Sequence, residues 1–301
     1  RDVERSRGLG DVYKRQVEAM MQDGKALQAG TSHFLGQNFA KSANISFINK
    51  QNQSEYAYTT SWGVSTRLIG GVIMTHADDE GMVVPPRIAP YQVVIIPVIK
   101  KPEDEDAIMA YIKEIQKDIA GKTPFGEKIR VKLDKRDRAS VDKFWEWTRK
   151  GAPVILEIGK RDADGNNVML KERIKLGTPE GKQILSRSDF EAGIVERLER
   201  IQKEMFEAAK ARRDANIRTD ITTPEAFRAY FEQSNEWIED GTSGKVAFVR
   251  GKWCGDPESE EILKAMKITI RCIPFDQSDS EGICLLTGKP AKMDVIYARS
   301  Y

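Results

Sequence analysis

Apolar and polar positions follow two grammars along this chain, with the change near Tyr91. Before it, residues 17–27 read as a short helix ending at Asp23-Gly24, with a strand then running into a Thr31-Ser32-His33 loop. Residues 35–41 fit one or two helical turns. Residues 45–48 and 56–62 alternate as strands, and the polar stretch 49–54 between them suits an antiparallel hairpin. Residues 65–75 read as a mostly apolar, buried helix. Gly70 and Gly71 within it cost roughly 1 kcal/mol each against Ala, which close backbone packing explains. Pro85, Pro86 and Pro90 mark a linker.

After Tyr91, strand and helix patterns alternate. Residues 93–98 form a continuous apolar run, as expected for a strand covered on both faces. Pro102 followed by Glu103-Asp-Glu-Asp106 opens a helix, with acids at the positive end of its dipole. Residues 128–133, 154–158 and 168–174 supply further strands, with a helix over 141–150. Residues 190–213 keep helical spacing, placing Ile194, Leu198, Ile201 and Met205 on one face. Thr223-Pro224 starts another helix. Residues 246–249, 268–273 and 294–298 read as a small terminal sheet. The fold class is α/β.

Composition narrows the partners. The 301 residues are 40% hydrophobic and 31% charged, with room for two or three cores. Net charge is only +2, from 48 basic and 46 acidic residues, so any nucleic-acid contact must use local patches. Cys254, Cys272 and Cys284 are too few for a disulfide framework. The longest apolar run, residues 93–99, is far shorter than a membrane span, and no secretory signal is visible. A cytoplasmic location is expected.

Two segments concentrate the chemistry. Gln28-Ala-Gly-Thr-Ser-His-Phe-Leu-Gly-Gln-Asn-Phe39 gathers hydrogen-bonding side chains among glycines. Ser61-Trp-Gly-Val-Ser-Thr-Arg-Leu-Ile-Gly-Gly71 runs from a strand into Gly63 and then Arg67 on a helix. Together they resemble the closing half of a class II aminoacyl-tRNA synthetase active site, in the version of the prolyl-tRNA synthetase family. Residues 75–87, Thr75-His76 through Arg87, continue the resemblance, with Ala77 where glycine is usual. The resemblance implies ATP contacts at Gln28, Thr31, Ser65 and Arg67, and proline contacts at His33 and Trp62. A guanidinium suits ATP because its plane stacks on a base while its fork binds phosphate. Alone, Arg67 would read as a surface arginine and His33 as a structural histidine. No residue is implied as a general acid or base, since positioning and charge neutralisation carry adenylate formation.

Residues 17–90 thus resemble the end of the catalytic domain, 91–190 an anticodon-binding domain and 191–301 the C-terminal domain of the archaeal and eukaryote-like type. In the anticodon-binding domain, Lys143-Phe-Trp-Glu-Trp147 through Gly159-Lys-Arg-Asp162 place base contacts at Phe144, Arg161 and Asp162. Phe144 reads equally well as helix core. Thr148 and Ile155 stand where glutamate and arginine are frequent. The basic stretch 209–218 fits a solvated helix face or a phosphate grip. Cys254-Gly, Arg271-Cys-Ile-Pro-Phe275, Thr287-Gly-Lys-Pro-Ala291 and Arg299-Ser-Tyr301 carry the resemblance to the C-terminus. Ser259 replaces a thiol where some members bind zinc, so no structural zinc is expected.

Residues 1–16 do not align with the family; Asp11-Val-Tyr-Lys-Arg-Gln16 looks like adapter-derived sequence, and the chain reads as a truncated C-terminal portion. The implied parent activates L-proline with ATP and magnesium, charges tRNA(Pro), and works as a homodimer away from membranes. A fragment that only binds tRNA, or a threonyl or histidyl enzyme, are the other readings.

Overall fold

In this computed structural model, which describes residues 2–5, 13–239 and 246–300, β1 (Asp2–Arg5), β2 (Tyr13–Met20) and β3 (Ala26–Gly36) pair antiparallel. The helix expected over 17–27 is therefore a strand and a turn. Along β2, Gln16 and Met20 are buried while Val17 is 53% exposed, so hydropathy alone points the wrong way. Glu18 is tolerated inside because Arg271 meets its carboxylate with a two-pronged contact at 2.9 Å. The turn needs glycine at position 24: its φ is +76°, and a Cβ there would lie 1.8 Å from the carbonyl oxygen of Val246.

The chain continues through α1 (Asn38–Ser42), the hairpin β4 (Ser46–Ile48) and β5 (Ser54–Tyr56), then β6 (Thr59–Val64) and α2 (Arg67–His76). The expected hairpin is present, but β6 leaves it and pairs with β3. The Thr31-Ser32-His33 stretch expected as a loop lies inside β3.

The next unit, residues 76–211, is an α/β layer structure. It comprises β7 (Val93–Val98), α3 (Glu105–Ala120), β8 (Val131–Leu133), α4 (Ser140–Arg149), β9 (Val154–Gly159), α5 (Lys160–Asp164), β10 (Asn167–Glu172), β11 (Lys182–Ser186) and most of α6 (Arg187–Ala215). Strand order is β11-β10-β9-β7-β8, with β7, β8 and β9 parallel. Alternation along β7 sends Val93 and Ile95 to the α3 and α6 side, and Val94 and Ile96 to the α4 side. α3 answers with Ile108, Ile112, Ile115 and Ile119, all fully buried on one stripe. Each contributes about 1.5–3 kcal/mol of burial. The expected stripe of α6 is also buried.

The segment expected as a linker before Tyr91 is packed instead. Pro85, Pro86 and Ala89 are buried, and Arg130 donates to the carbonyls of Pro86, Arg87 and Ala89. Arg173, with a side chain 1% exposed, grips Asp78 through both guanidinium nitrogens and donates to the carbonyls of Gly81, Met82 and Thr148.

Residues 1–75 and 212–301 form the other unit. Its later elements are β12 (Ile217–Arg218), α7 (Pro224–Glu239), β13 (Phe248–Trp253), α8 (Pro257–Ala265), β14 (Thr269–Pro274), β15 (Gly282–Ile283), β16 (Pro290–Ala291) and β17 (Met293–Ala298). The expected terminal strands pair as β13-β17-β14, but the sheet does not stop there. It runs on as β12-β13-β17-β14-β1-β2-β3-β6, eight strands in all. Phe227, Phe231 and Tyr297 fill its core with ring contacts at 4.8 and 5.0 Å. Arg299 is buried and donates to Ser234 Oγ and to the Phe231 carbonyl. Tyr301 and part of the 1–16 stretch lie outside the described residues.

Candidate functional sites

One irregularity aligns the polar residues of β3. Val17 pairs with Gly30 and Glu18 with Gln28, so Ala29 is an extra residue, a β-bulge. Gln28 and Thr31 stand opposite Glu18 and Gln16, two positions apart on β2, and therefore share a face with His33. Ser61 and Gly63 of β6 join that face; a Cβ on Gly63 would sit 3.4 Å from Thr31 Oγ1. Gln28, Thr31 and His33 are half-buried, a shelf of donors and acceptors open to a ligand.

Trp62 is placed differently from its expected partner. It stands opposite Ser32, on the other face of the sheet from His33, and is 79% exposed. Strand alternation causes the split, since 61 and 63 face one way and 62 the other. Ser65 and Arg67 follow at the end of β6 and the start of α2. Ser65 Oγ accepts the Arg67 backbone N–H at 3.3 Å, and the Arg67 guanidinium makes no bond or ion pair among the described residues. The helix α2 is not buried as expected: Gly71 alone is, while Leu68, Ile69 and Ile73 are exposed, as is Val64. Gly71 does show the close packing expected of it, with its Cβ position 3.0 Å from Leu27; Gly70 does not.

In the unit 76–211, the expected base-contacting residues fall in two settings. Arg161 and Asp162 lie on α5, directly beyond the carboxyl end of β9. Arg161 is exposed, and its side chain has no partner among the described residues. Asp162 turns back and accepts the Gly159 N–H at 2.8 Å, fixing the start of α5. Phe144 is buried instead, packed with Val94, Ile96 and Ile155. The Lys171 ammonium lies 3.7 Å from its ring centre and pairs with Glu157. Thr148 and Ile155 are buried beside it, so this α4 face is closed by apolar contact.

A cluster that the sequence pattern does not single out lies after β8. Asp134, 2% exposed, accepts from the Arg136 fork at 2.7 and 2.9 Å and from Trp147 Nε1 at 2.8 Å. The Arg136 guanidinium holds its carboxyl well below the usual range, against the opposing effect of burial. Arg136 also reaches Glu146, which Arg138 and Lys150 contact too; the bonds from Arg136 first, then from Lys150, bring Glu146 down to about 2. A depressed folded pKa stabilises above the unfolded value near 4 and is lost as pH falls through the folded value. Thus the stability gap between wild type and Asp134→Asn should stay constant above about pH 5 and shrink below about pH 4, as read by urea unfolding at several pH values. A gap that widens with acid would contradict this arrangement.

In the C-terminal part, Cys254 Sγ lies 3.5 Å from Thr287 Oγ1, and Ser259 Oγ accepts Trp253 Nε1 at 2.7 Å. Burial raises the Cys284 thiol, but hydrogen bonds from Thr287 and neighbouring backbone outweigh it and leave the thiol below its ordinary value. No group of three or more His, Cys, Asp or Glu able to hold a metal occurs among the described residues. Nor is any helix among them long and apolar enough to cross a membrane.

Comparison with known proteins finds two family matches along the chain. The anticodon binding domain family matches residues 92–197, and the family described as prolyl-tRNA synthetase, C-terminal, matches residues 236–301. A proline–tRNA ligase of Protochlamydia amoebophila is 47% identical over 285 residues, covering 95% of this chain and 55% of that protein. Those of Novosphingobium aromaticivorans and Bdellovibrio bacteriovorus are 46% and 43% identical, each over 99% of this chain and 58% and 57% of their own lengths. The chain thus spans somewhat more than half the length of the curated relatives it matches. With both domain matches and this identity over nearly all its residues, the chain is similar to the C-terminal portion of prolyl-tRNA synthetases.

Proposed function

We propose that this chain is part of an enzyme that activates L-proline with ATP and transfers it to tRNA(Pro). The identity to proline–tRNA ligases over nearly the whole chain carries this reading. In that reaction the proline carboxylate attacks the α-phosphate of ATP in line and pyrophosphate leaves, so placement and charge neutralisation do the work. Gln28 and Thr31 would hydrogen-bond the nucleotide and His33 the proline, since the bulge gives them one face. The unpaired Arg67 would neutralise phosphate, with magnesium accompanying ATP as substrate. Ser65 would act by fixing the first turn of α2 under Arg67. Trp62 would serve the opposite face of the sheet, not the His33 side. A homodimer in the cytoplasm completes the reading.

The unit 76–211 is proposed to bind the anticodon loop, with exposed Arg161 as the base-contacting fork and Asp162 as its positioned neighbour. Phe144 would support β9 from beneath. Proline-dependent ATP–pyrophosphate exchange by the full-length protein tests the enzyme reading; exchange driven by threonine or histidine instead would sink it. For the 301-residue chain, Arg161→Ala should weaken binding of the tRNA(Pro) anticodon hairpin by about tenfold, since a base-reading arginine carries roughly 1–3 kcal/mol. Unchanged hairpin affinity would remove Arg161 from the site. Hairpin binding without exchange would favour the second reading, a tRNA-binding module.

A further inference from the structure

The unit 76–211 holds a second feature that the tRNA reading does not use. Strands β7 and β8 are neighbours and parallel, yet the helices that follow them lie on opposite faces: α3 packs with Val93 and Ile95, α4 with Val94 and Ile96. The chain thus parts in two directions outside their carboxyl ends, the position where open α/β sheets take up ligands. A cleft of about 500 Å³ opens there, within the size range of small-molecule sites.

Its chemistry comes in three parts. Pro97, Ile99 and Met109 give an apolar wall. Glu105 and Asp137 bring carboxylates. Lys143 and Ser140 lie at the start of α4, where Ala139 occupies the N-cap and supplies no side-chain cap to the free N–H groups. Lys143 is 6% exposed, and its ammonium makes one long bond among the described residues, 3.4 Å to the Asp134 carbonyl. Two of its three donors are left over, and a buried cation without acceptors is costly. The neighbouring Arg136 and Arg138 are already committed to Asp134 and Glu146. Lys135 also lines the cleft but is exposed to solvent, so among the described residues Lys143 is the buried cation there with donors to spare for an anion.

We propose that this cleft binds a nucleoside monophosphate unit. Its phosphate would sit on Lys143 and the first N–H groups of α4, its ribose hydroxyls on Asp137 or Glu105, and its base along Ile99 and Met109. A free mononucleotide and a nucleotide of an RNA chain offer the same chemistry. The binding is measured without tRNA, so it stands or falls separately from the anticodon reading.

Isothermal titration of the 301-residue chain with AMP, GMP, CMP and UMP tests this. At least one should bind saturably below about 1 mM. Its nucleoside, lacking phosphate, should bind about tenfold more weakly or worse, and Lys143→Gln should cost a similar factor. Should Lys143→Gln fail to fold, Ile99→Asp replaces it, because Ile99 is 40% exposed and its change leaves the core intact. No saturable binding by any of the four, equal binding of nucleoside and nucleotide, or wild-type affinity in the variant that folds each overturns the proposal. With binding established, the anticodon hairpin separates the sources. Competition with the mononucleotide, together with an equal loss in the variant, assigns the cleft to RNA; independent binding assigns it to the free nucleotide.

Discussion

Arg173→Met should destabilise the unit 76–211 by about 3–5 kcal/mol, the range for removing one partner of a buried charged network. Methionine fills much of the same space, so the loss is not chiefly a cavity. It is the stranding of acceptors: the carbonyls of Gly81, Met82 and Thr148 each lose a donor, and Asp78 loses both guanidinium contacts. Asp78 can rehydrate, since its side chain is half exposed, but the Thr148 carbonyl is reached inside a buried pair. Gly81 makes the site unforgiving, with φ at +120° and its Cβ position 2.7 Å from Arg149 Cα. Urea unfolding should show the midpoint falling with an unchanged slope. A loss under about 1 kcal/mol would mean that segment 78–82 holds its place by backbone bonds alone, such as Met82 N–H to the Arg149 carbonyl.

Glu172→Leu is expected to cost somewhat less, about 2–4 kcal/mol. Glu172 is fully buried at the end of β10, and its Oε1 accepts from Arg197 and from Arg200, the latter at 2.6 Å. It fastens two successive turns of α6 to the sheet. Leucine would leave both guanidinium groups without their carboxylate, although Arg200 keeps Glu204 and Arg197 keeps a long contact to Gln183. Those remaining partners, and partial exposure of both arginines, set the lower end of the range. The double substitution Glu172→Leu with Arg197→Leu should recover part of the loss, because it removes one of the stranded charges. A further equal loss on adding the second change would show that packing, not charge, is at stake.

Elements whose side chains report their own environment were legible. The run Val93–Val98 is uniformly apolar because both its faces are covered, and α3 declares itself through Pro102, its acids and its isoleucine stripe. What stayed hidden depends on partners far along the chain. The run around Val17 carries good helix formers, but pairing with β1 and β3 and the Glu18–Arg271 contact, 253 residues apart, make it a strand. Arg173 and Asp78 are 95 residues apart, which is why a proline-rich stretch passes for a free linker. Among the candidate site residues, Arg67 and Arg161 stand out only through the motifs around them, since by type alone each reads as a surface arginine. The separation of Trp62 from His33 could not be read there, because it follows from strand register. Lys143 was invisible as chemistry until the fold showed it buried.

The bulge at Ala29 gives the polar shelf an odd–even dependence on chain length. A strand exposes alternate residues, so Gln28 and Thr31, three apart, ought to look away from each other; one surplus residue restores their agreement. Any single-residue insertion or deletion between them would reverse the sense of one end, exchanging Gln28 for its neighbour, while composition and hydropathy hardly changed. Among relatives of this chain, spacing within this short interval should therefore carry more information about which side chains share this face than residue identity at Ala29 itself.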